Sequence, residues 1–393
     1  MSAFVDATSS SVEFCEAMSQ EFSDLSETYS KISTYCQQKL WHQLTLVVLE
    51  FLSKPKTNQR VCSQDKNTFW ALYHNVVLSI ANKLDSLALG RMAAAVSFAQ
   101  PKEDFEASKQ LLDDLVAKDG CAIAAKLYLQ AKMGLLTMTQ TTPSKEAMTT
   151  IYESIKTNAP LLNQLVPDTP EAIIVNAAHY ETSVTYFKIV GPPEAFYEEA
   201  IRYLNYYQPT EDDALKSHAL AVDLCLAALT GEGVYNLGQV VTNPILQVLK
   251  DTPEAWLVDL LHACAKGNVP EFKTLCQETY PTQIASQPAL VNMSQQMQEK
   301  MTLLALVQMV FERKSSERTL EFAEIAARLE IPMEQVEWVI MRAFSVKLME
   351  GSMDEVESTV HVTWILPRIL TDDQMTDLAS RFGEWASKVG KTK

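Results

Sequence analysis

FAEIAARLEIPMEQVEWVIMRA, residues 322–343, spells two helices around a tight turn, an arrangement that in many proteins delivers a helix to the DNA major groove. The first helix is expected over Glu321–Leu329, Pro332 lies in or near the turn, and the second helix is expected over Glu334–Leu348. The flanks complete a pattern. Leu320 opens a short strand, GSMDEVEST (351–358 and Thr359) supplies a turn, and TVHVTWIL alternates so that Val360, Val362 and Trp364 share one face. Helix, turn, helix and hairpin in that order describe a winged helix over 319–370.

Charge decides what such a module can hold. The chain carries a formal charge of −16. Between Thr319 and Leu370 the bases are Arg328, Arg342, Lys347 and Arg368, against the acids Glu321, Glu324, Glu330, Glu334, Glu337, Glu350, Asp354, Glu355 and Glu357. A helix entering the groove needs Lys and Arg to offset phosphate repulsion, and this one places Glu334 and Glu337 in its first turn. The count argues against nucleic acid and for protein contact. A small wing cannot close into a barrel, so its sheet edge can be continued by strand addition from a neighbour, and Val360, Val362 and Trp364 are the strand residues expected at such an interface.

Downstream, TDDQMTDLASRFGEWASKVG begins with Thr371 or Asp372 as a helix cap and sets Met375, Leu378, Phe382, Trp385 and Val389 at steps of three, four, three and four. That is a narrow heptad seam, and a lone helix of this length is marginal in water, so it docks either on its own domain or in a bundle with other subunits. The spacing favours the second.

Upstream, the chain reads as helices separated by proline or short polar breaks. In KLWHQLTLVVLEFL, Leu40, Trp41, Leu44, Val47, Val48 and Phe51 form one apolar stripe. Only 11 glycines appear among 393 residues, where average usage would give roughly 27, which favours helix over turn-rich β architecture. A long succession of paired helices predicts a right-handed solenoid. The stretch HYETSVTYFKIVGPPEAFYEEAIRYLNYY (179–207) resembles one tetratricopeptide-like pair, although an ordinary hairpin fits it equally. The fold expected is therefore mainly α: a helical-repeat solenoid, a winged helix and a C-terminal bundle helix. Residues 1–25, Ser-rich and weakly patterned, read as a flexible tail, with 26–175 as N-terminal repeats, 176–318 as the helical part of one domain whose winged helix is 319–370, and 371–393 as bundle helix and tail.

Chemistry-bearing motifs are scarce. The seven cysteines are widely spaced and read as reduced, mostly buried thiols. No cysteine or histidine pair has metal-ligand spacing, so no metal, cofactor or catalytic residue is assigned. His262 and Cys264, two apart on a helix, point in different directions. GEGVYNLG (231–238) has Asn236 where a phosphate loop needs its third glycine, and a helix precedes it. The amino end lacks the basic and apolar regions of a signal peptide, and no apolar run is long enough to span a bilayer, which predicts a soluble, intracellular chain.

A helical solenoid running into a winged helix resembles the PCI-domain family, whose members are scaffold subunits of the proteasome lid, the signalosome and translation initiation factor three. The words KLWHQLTLVVLEFL, LTGEGVYNLGQVVTNPIL (229–246), VEWVIMRAFSVKLMEGSMDEV (336–356) and VHVTWILPRIL (360–370) are similar to the proteasome-lid branch in particular. Two positions depart from it: Lys347 stands where that branch carries glycine, and Leu366 where glutamine precedes the Pro-Arg pair. The resemblance implies a non-catalytic scaffold without cofactor, in cytoplasm and nucleus, within a hetero-oligomer. Its implied partners are other lid subunits, through a neighbouring PCI subunit and a helical bundle, and a ubiquitin-receptor subunit, with no nucleic acid or membrane. A PCI scaffold of another assembly and a winged-helix nucleic-acid binder stand as alternatives.

Overall fold

Capping and apolar spacing place the helices along most of the chain. The structure, a computed structural model, describes residues 3–22, 25–53, 68–118, 120–207, 214–313, 318–367 and 372–391. Two units emerge, Met1–Val190 with Arg202–Tyr207, and Gly191–Ile201 with Gln208–Lys393. A boundary at 175 would cut a continuous helix, Pro170–Val190, and the division falls instead at the Gly191-Pro192 turn.

In the first unit, α1 (Ala3–Glu21), α2 (Ser26–Gln37), α3 (Trp41–Ser53), α4 (Ser86–Ala99), α5 (Phe105–Ala117), α6 (Ile123–Gln140), α7 (Lys145–Leu162) and α8 (Pro170–Val190) pack mostly on their neighbours in sequence. Asp85 starts α4 by accepting hydrogen bonds from the Leu87 and Ala88 amides, both at 3.1 Å, and Ser144 caps α7 through the Ala147 amide. The stripe of α3 is buried at Leu44, Val48 and Phe51, while Trp41 and Val47 are half-buried and Leu40 lies just outside the helix. Pro160 sits within the last turn of α7, two residues before its end at Leu162. Between α6 and α8 the Thr182 hydroxyl donates to the Ala131 carbonyl, and Lys132 meets Glu181 at 2.5 Å close to the Phe98 and Tyr128 rings. The Tyr180 and Tyr206 rings stack 5.7 Å apart, on either side of the Gly-Pro-Pro turn.

The expected tail at residues 1–25 is corrected. Most of it is α1, with Cys15 fully buried and the Ser11 hydroxyl donating to the Asn75 carbonyl at 2.7 Å. Small side chains do the packing here. Ser11, Val12, Cys15 and Met18 recur at helical spacing, but serine and cysteine make a faint apolar stripe.

The second unit ends in the winged helix: β1 (Thr319–Glu321), α9 (Phe322–Leu329), α10 (Met333–Ser345), β2 (Met349–Asp354) and β3 (Thr359–Ile365), followed by α11 (Asp372–Lys391). Helix α10 stops earlier than expected, and its end explains why. Leu348 N–H donates to the Ala343 carbonyl and Lys347 N–H to that of Phe344, a Schellman closure with Lys347 left-handed at φ 56°. That is the position where the resembled branch has glycine. The turn expected over 351–359 is shorter too. Strand β2 runs through to Asp354, whose carboxylate then accepts from the Val356 and Glu357 amides. Gly351, at a register shift in β2, is required there, since a Cβ would lie 2.1 Å from the His361 carbonyl oxygen.

Candidate protein-docking surfaces

All five seam residues of α11 face solvent: Met375, Leu378, Phe382, Trp385 and Val389 are 40–65% exposed. Their heptad spacing puts them on one stripe, so the exposure is one continuous apolar ridge. Phe382 at 62% and Trp385 at 65% are its largest members. Scattered exposed apolar residues need no explanation, whereas a continuous ridge of this kind is a candidate contact surface. Residues 368–371 and 392–393, including the alternative cap Thr371, lie outside the described residues.

The strand residues fare differently. The sheet order is β1-β3-β2, so β3 is central and both its edges are already paired. Val360 and Val362 are buried, at 0% and 1% exposure, because their face covers the helices. Only Trp364, 39% exposed, reaches the surface. The expectation that Val360 and Val362 meet a partner is therefore corrected. Alternation placed all three on one face, but Glu350 pairs with Trp364 and Gly351 with Val362, so Thr363 is an extra residue in β3 and Trp364 leaves the face of the two valines. For the valines, burial on the core face and membership of an edge strand exclude one another. Among the described residues, the edges without a strand neighbour belong to β1 and β2.

Sequence reasoning missed another surface. Met333, Trp338 and Met341 of α10 are 48%, 53% and 47% exposed, while Val336, Val339, Ile340 and Ala343 of the same helix are buried. The signal was present: α10 carries more large apolar residues than one stripe can hold. Glu334 and Glu337 share the outer face, and the basic Arg342 is tied to Glu299 at 3.0 Å. The acidic surface anticipated from the charge count is thus also apolar.

Elsewhere the polar groups serve packing. The loop GEGVYNLG is closed by Lys300, whose ammonium donates to the carbonyls of Ala228 at 2.6 Å and Gly231 at 3.0 Å. A phosphate loop presents amide N–H groups to its ligand, whereas this one presents carbonyl oxygens to a cation. Burial lowers the Lys300 pKa to about 8. Cys15, Cys225 and Cys264 are buried thiols with pKa values pushed up to about 12 by desolvation, which keeps them protonated and unreactive. Cys36 is buried too, Cys121 and Cys276 are partly exposed, and Cys62 lies outside the described residues. His262 is half-buried beside the fully packed Cys264. Among the described residues no three His, Cys, Asp or Glu side chains converge as metal ligands, and no helix is long and apolar enough to cross a membrane.

His179 is the most perturbed histidine. It is 4% exposed in α8 and lines a cavity of about 200 Å³ with Asn158, Ser154 and Thr182, and burial lowers its pKa to about 4.

Comparison with known proteins agrees with this layout. The model for PSD13 N-terminal repeats matches residues 28–261, and that for the PCI domain matches residues 277–364. The chain is 28% identical to the 26S proteasome non-ATPase regulatory subunit 13 of Dictyostelium discoideum, over 97% of this chain and 95% of that protein. It is 29% identical to homolog B of the same subunit in Arabidopsis thaliana, over 97% and 96%. To the 26S proteasome regulatory subunit RPN9 of Saccharomyces cerevisiae it is 28% identical, over 92% and 90%.

Proposed function

We infer the function from one premise: the chain belongs to the PSD13 family, N-terminal helical repeats followed by a PCI domain. It is a scaffold subunit of the proteasome regulatory-particle lid and serves ubiquitin-dependent protein degradation. The observation that carries this reading is collinearity. Repeats and PCI domain occur in the family's order, and relatives named for that subunit align over more than nine-tenths of the chain.

The finer assignments follow from surface chemistry. The subunit acts without catalysis, by holding other chains in place. Its α11 ridge of Met375, Leu378, Phe382, Trp385 and Val389 enters a bundle of helices from other lid subunits, which removes a water-exposed apolar stripe that the described chain leaves open. The winged helix joins a neighbouring PCI subunit through the free edges of β1 and β2, with Trp364 beside them, and the N-terminal repeats hold a peripheral ubiquitin-receptor subunit. The site of action is cytoplasm and nucleus, and neither nucleic acid nor membrane is a ligand.

Affinity purification of the tagged full chain from its own cells, with partners identified by mass spectrometry, tests this reading. Stoichiometric recovery of proteasome lid subunits is the expected result. Recovery of a different PCI assembly, or of a monomer, would overturn it.

A further inference from the structure

Helices α6, α7 and α8, with Lys109 of α5, line the cavity of about 200 Å³ in the first unit. Ala131, Met133, Gly134, Ile151 and Ile155 give it apolar walls. An apolar cavity of about 150 Å³ holds benzene, so this one has room for a single ring with a substituent.

Two buried polar side chains line it with bonding capacity unused. His179, 4% exposed, makes a ring contact with Tyr180, but neither ring nitrogen has a hydrogen-bond partner among the described residues. Asn158, 5% exposed, donates to the Ser154 hydroxyl at 3.3 Å, while its own carbonyl oxygen accepts nothing from the described residues. The buried Thr182 hydroxyl, by contrast, already donates to the Ala131 and Ala178 carbonyls. Buried polar groups ordinarily find a partner, and leaving them bare costs free energy. Burial keeps the His179 imidazole neutral, so it offers one N–H and one lone pair, and Asn158 adds a further acceptor. A group that both donates and accepts completes this set, as a hydroxyl does.

The outer side of the cavity differs in charge. It carries the half-buried Lys109 and the exposed Thr150. The Lys109 ammonium has no ion pair or hydrogen bond among the described residues, and no Asp or Glu lines the cavity. One unneutralised cation without a facing acid favours a single negative charge there, still reached by water. The deep end has no cation and would strip an anion of its solvation.

We propose that this cavity binds a small phenolic monocarboxylate, its ring between Met133, Ile151 and Ile155, its hydroxyl on His179 and Asn158, and its carboxylate at Lys109. Water alone would meet the deep groups and leave the apolar walls and the cation unmatched.

The test titrates 4-hydroxyphenylacetate into the full chain, followed by calorimetry and by methyl NMR at Met133. Saturable one-site binding at millimolar concentration or tighter, with a shifted Met133 methyl, is the expected result. Phenylacetate, which lacks the hydroxyl, and 4-hydroxyphenylacetamide, which lacks the charge, should each bind roughly three- to tenfold more weakly. Lys109→Met should cost the acid a similar factor and leave the amide unchanged, and His179→Leu should abolish the preference for the hydroxyl. Should His179→Leu fail to fold, Lys109→Met and the two analogues still decide the question, since Lys109 is half-buried and unpaired. No saturable binding, as for a cavity that holds water only, would overturn the proposal. Equal affinities for the three compounds, or shifts that spare Met133, would overturn it too.

Discussion

Phe382→Ala/Trp385→Ala removes the two largest side chains of the α11 ridge without disturbing a described core contact. An aromatic side chain of this size offers roughly 200 Å² for phenylalanine and 250 Å² for tryptophan. At 62% and 65% exposure, about 125 and 160 Å² remain available to a partner. At roughly 25 cal/mol per Å² the pair contributes about 7 kcal/mol if fully covered, and about 5 kcal/mol after allowing for the alanine methyls. Each 1.4 kcal/mol is a factor of ten, so assembly should weaken by roughly three to four orders of magnitude. The assay is quantitative co-purification of lid subunits with tagged full chain, wild type against double variant, beside circular dichroism of the isolated chains. Lost recovery with an unchanged spectrum is the expected outcome. Unchanged recovery, or a spectrum showing that the variant unfolds, would refute the reasoning, the latter because the ridge would then be packing its own chain.

Burial holds the folded pKa of His179 at about 4 against an ordinary 6.5, so the unfolded chain binds the proton first as pH falls. Its contribution is fully present above pH 6.5 and lost on descending to 4, about 3 kcal/mol in all, and His179→Gln should flatten that part of a urea-stability profile against pH. A parallel profile in the variant would show that the ring is not the titrating group. Lys347→Gly should stabilise the end of α10 by about 0.5–1 kcal/mol, since glycine accepts φ 56° without Cβ strain, read as slower hydrogen exchange at the Leu348 amide. Lys347→Ala should give no such gain, and equal gains in both would refute the strain argument. Gly351→Ala should cost about 1–3 kcal/mol, visible as weakened exchange protection along β2 and β3, because the His361 carbonyl stands where the methyl would go.

The winged helix was legible because its signals agree: two helices, a proline at the turn and a strand with period two. Its boundaries were less so. Lys347 gives no local sign of a left-handed closure, and GSMD reads as turn although Gly351 serves a strand irregularity. The α11 ridge could be read directly because a heptad seam on an exposed helix leaves nothing for tertiary packing to override. Strand order was beyond reach, since alternation reports faces and not neighbours, and β3 proved central. Helix α1 was hidden by the small size of Ser11 and Cys15, and the exposed Trp338 by the number of large apolar residues on α10, which does not say which of them stay outside the core.

Hydroxyl-radical footprinting of Met375, Phe382 and Trp385, in the isolated chain and in the assembled complex, asks most directly whether neighbouring subunits complete this molecule. The account predicts side chains that react freely in isolation and are strongly protected on assembly. Equal reactivity in both states, or protection already present in the isolated chain, would contradict it.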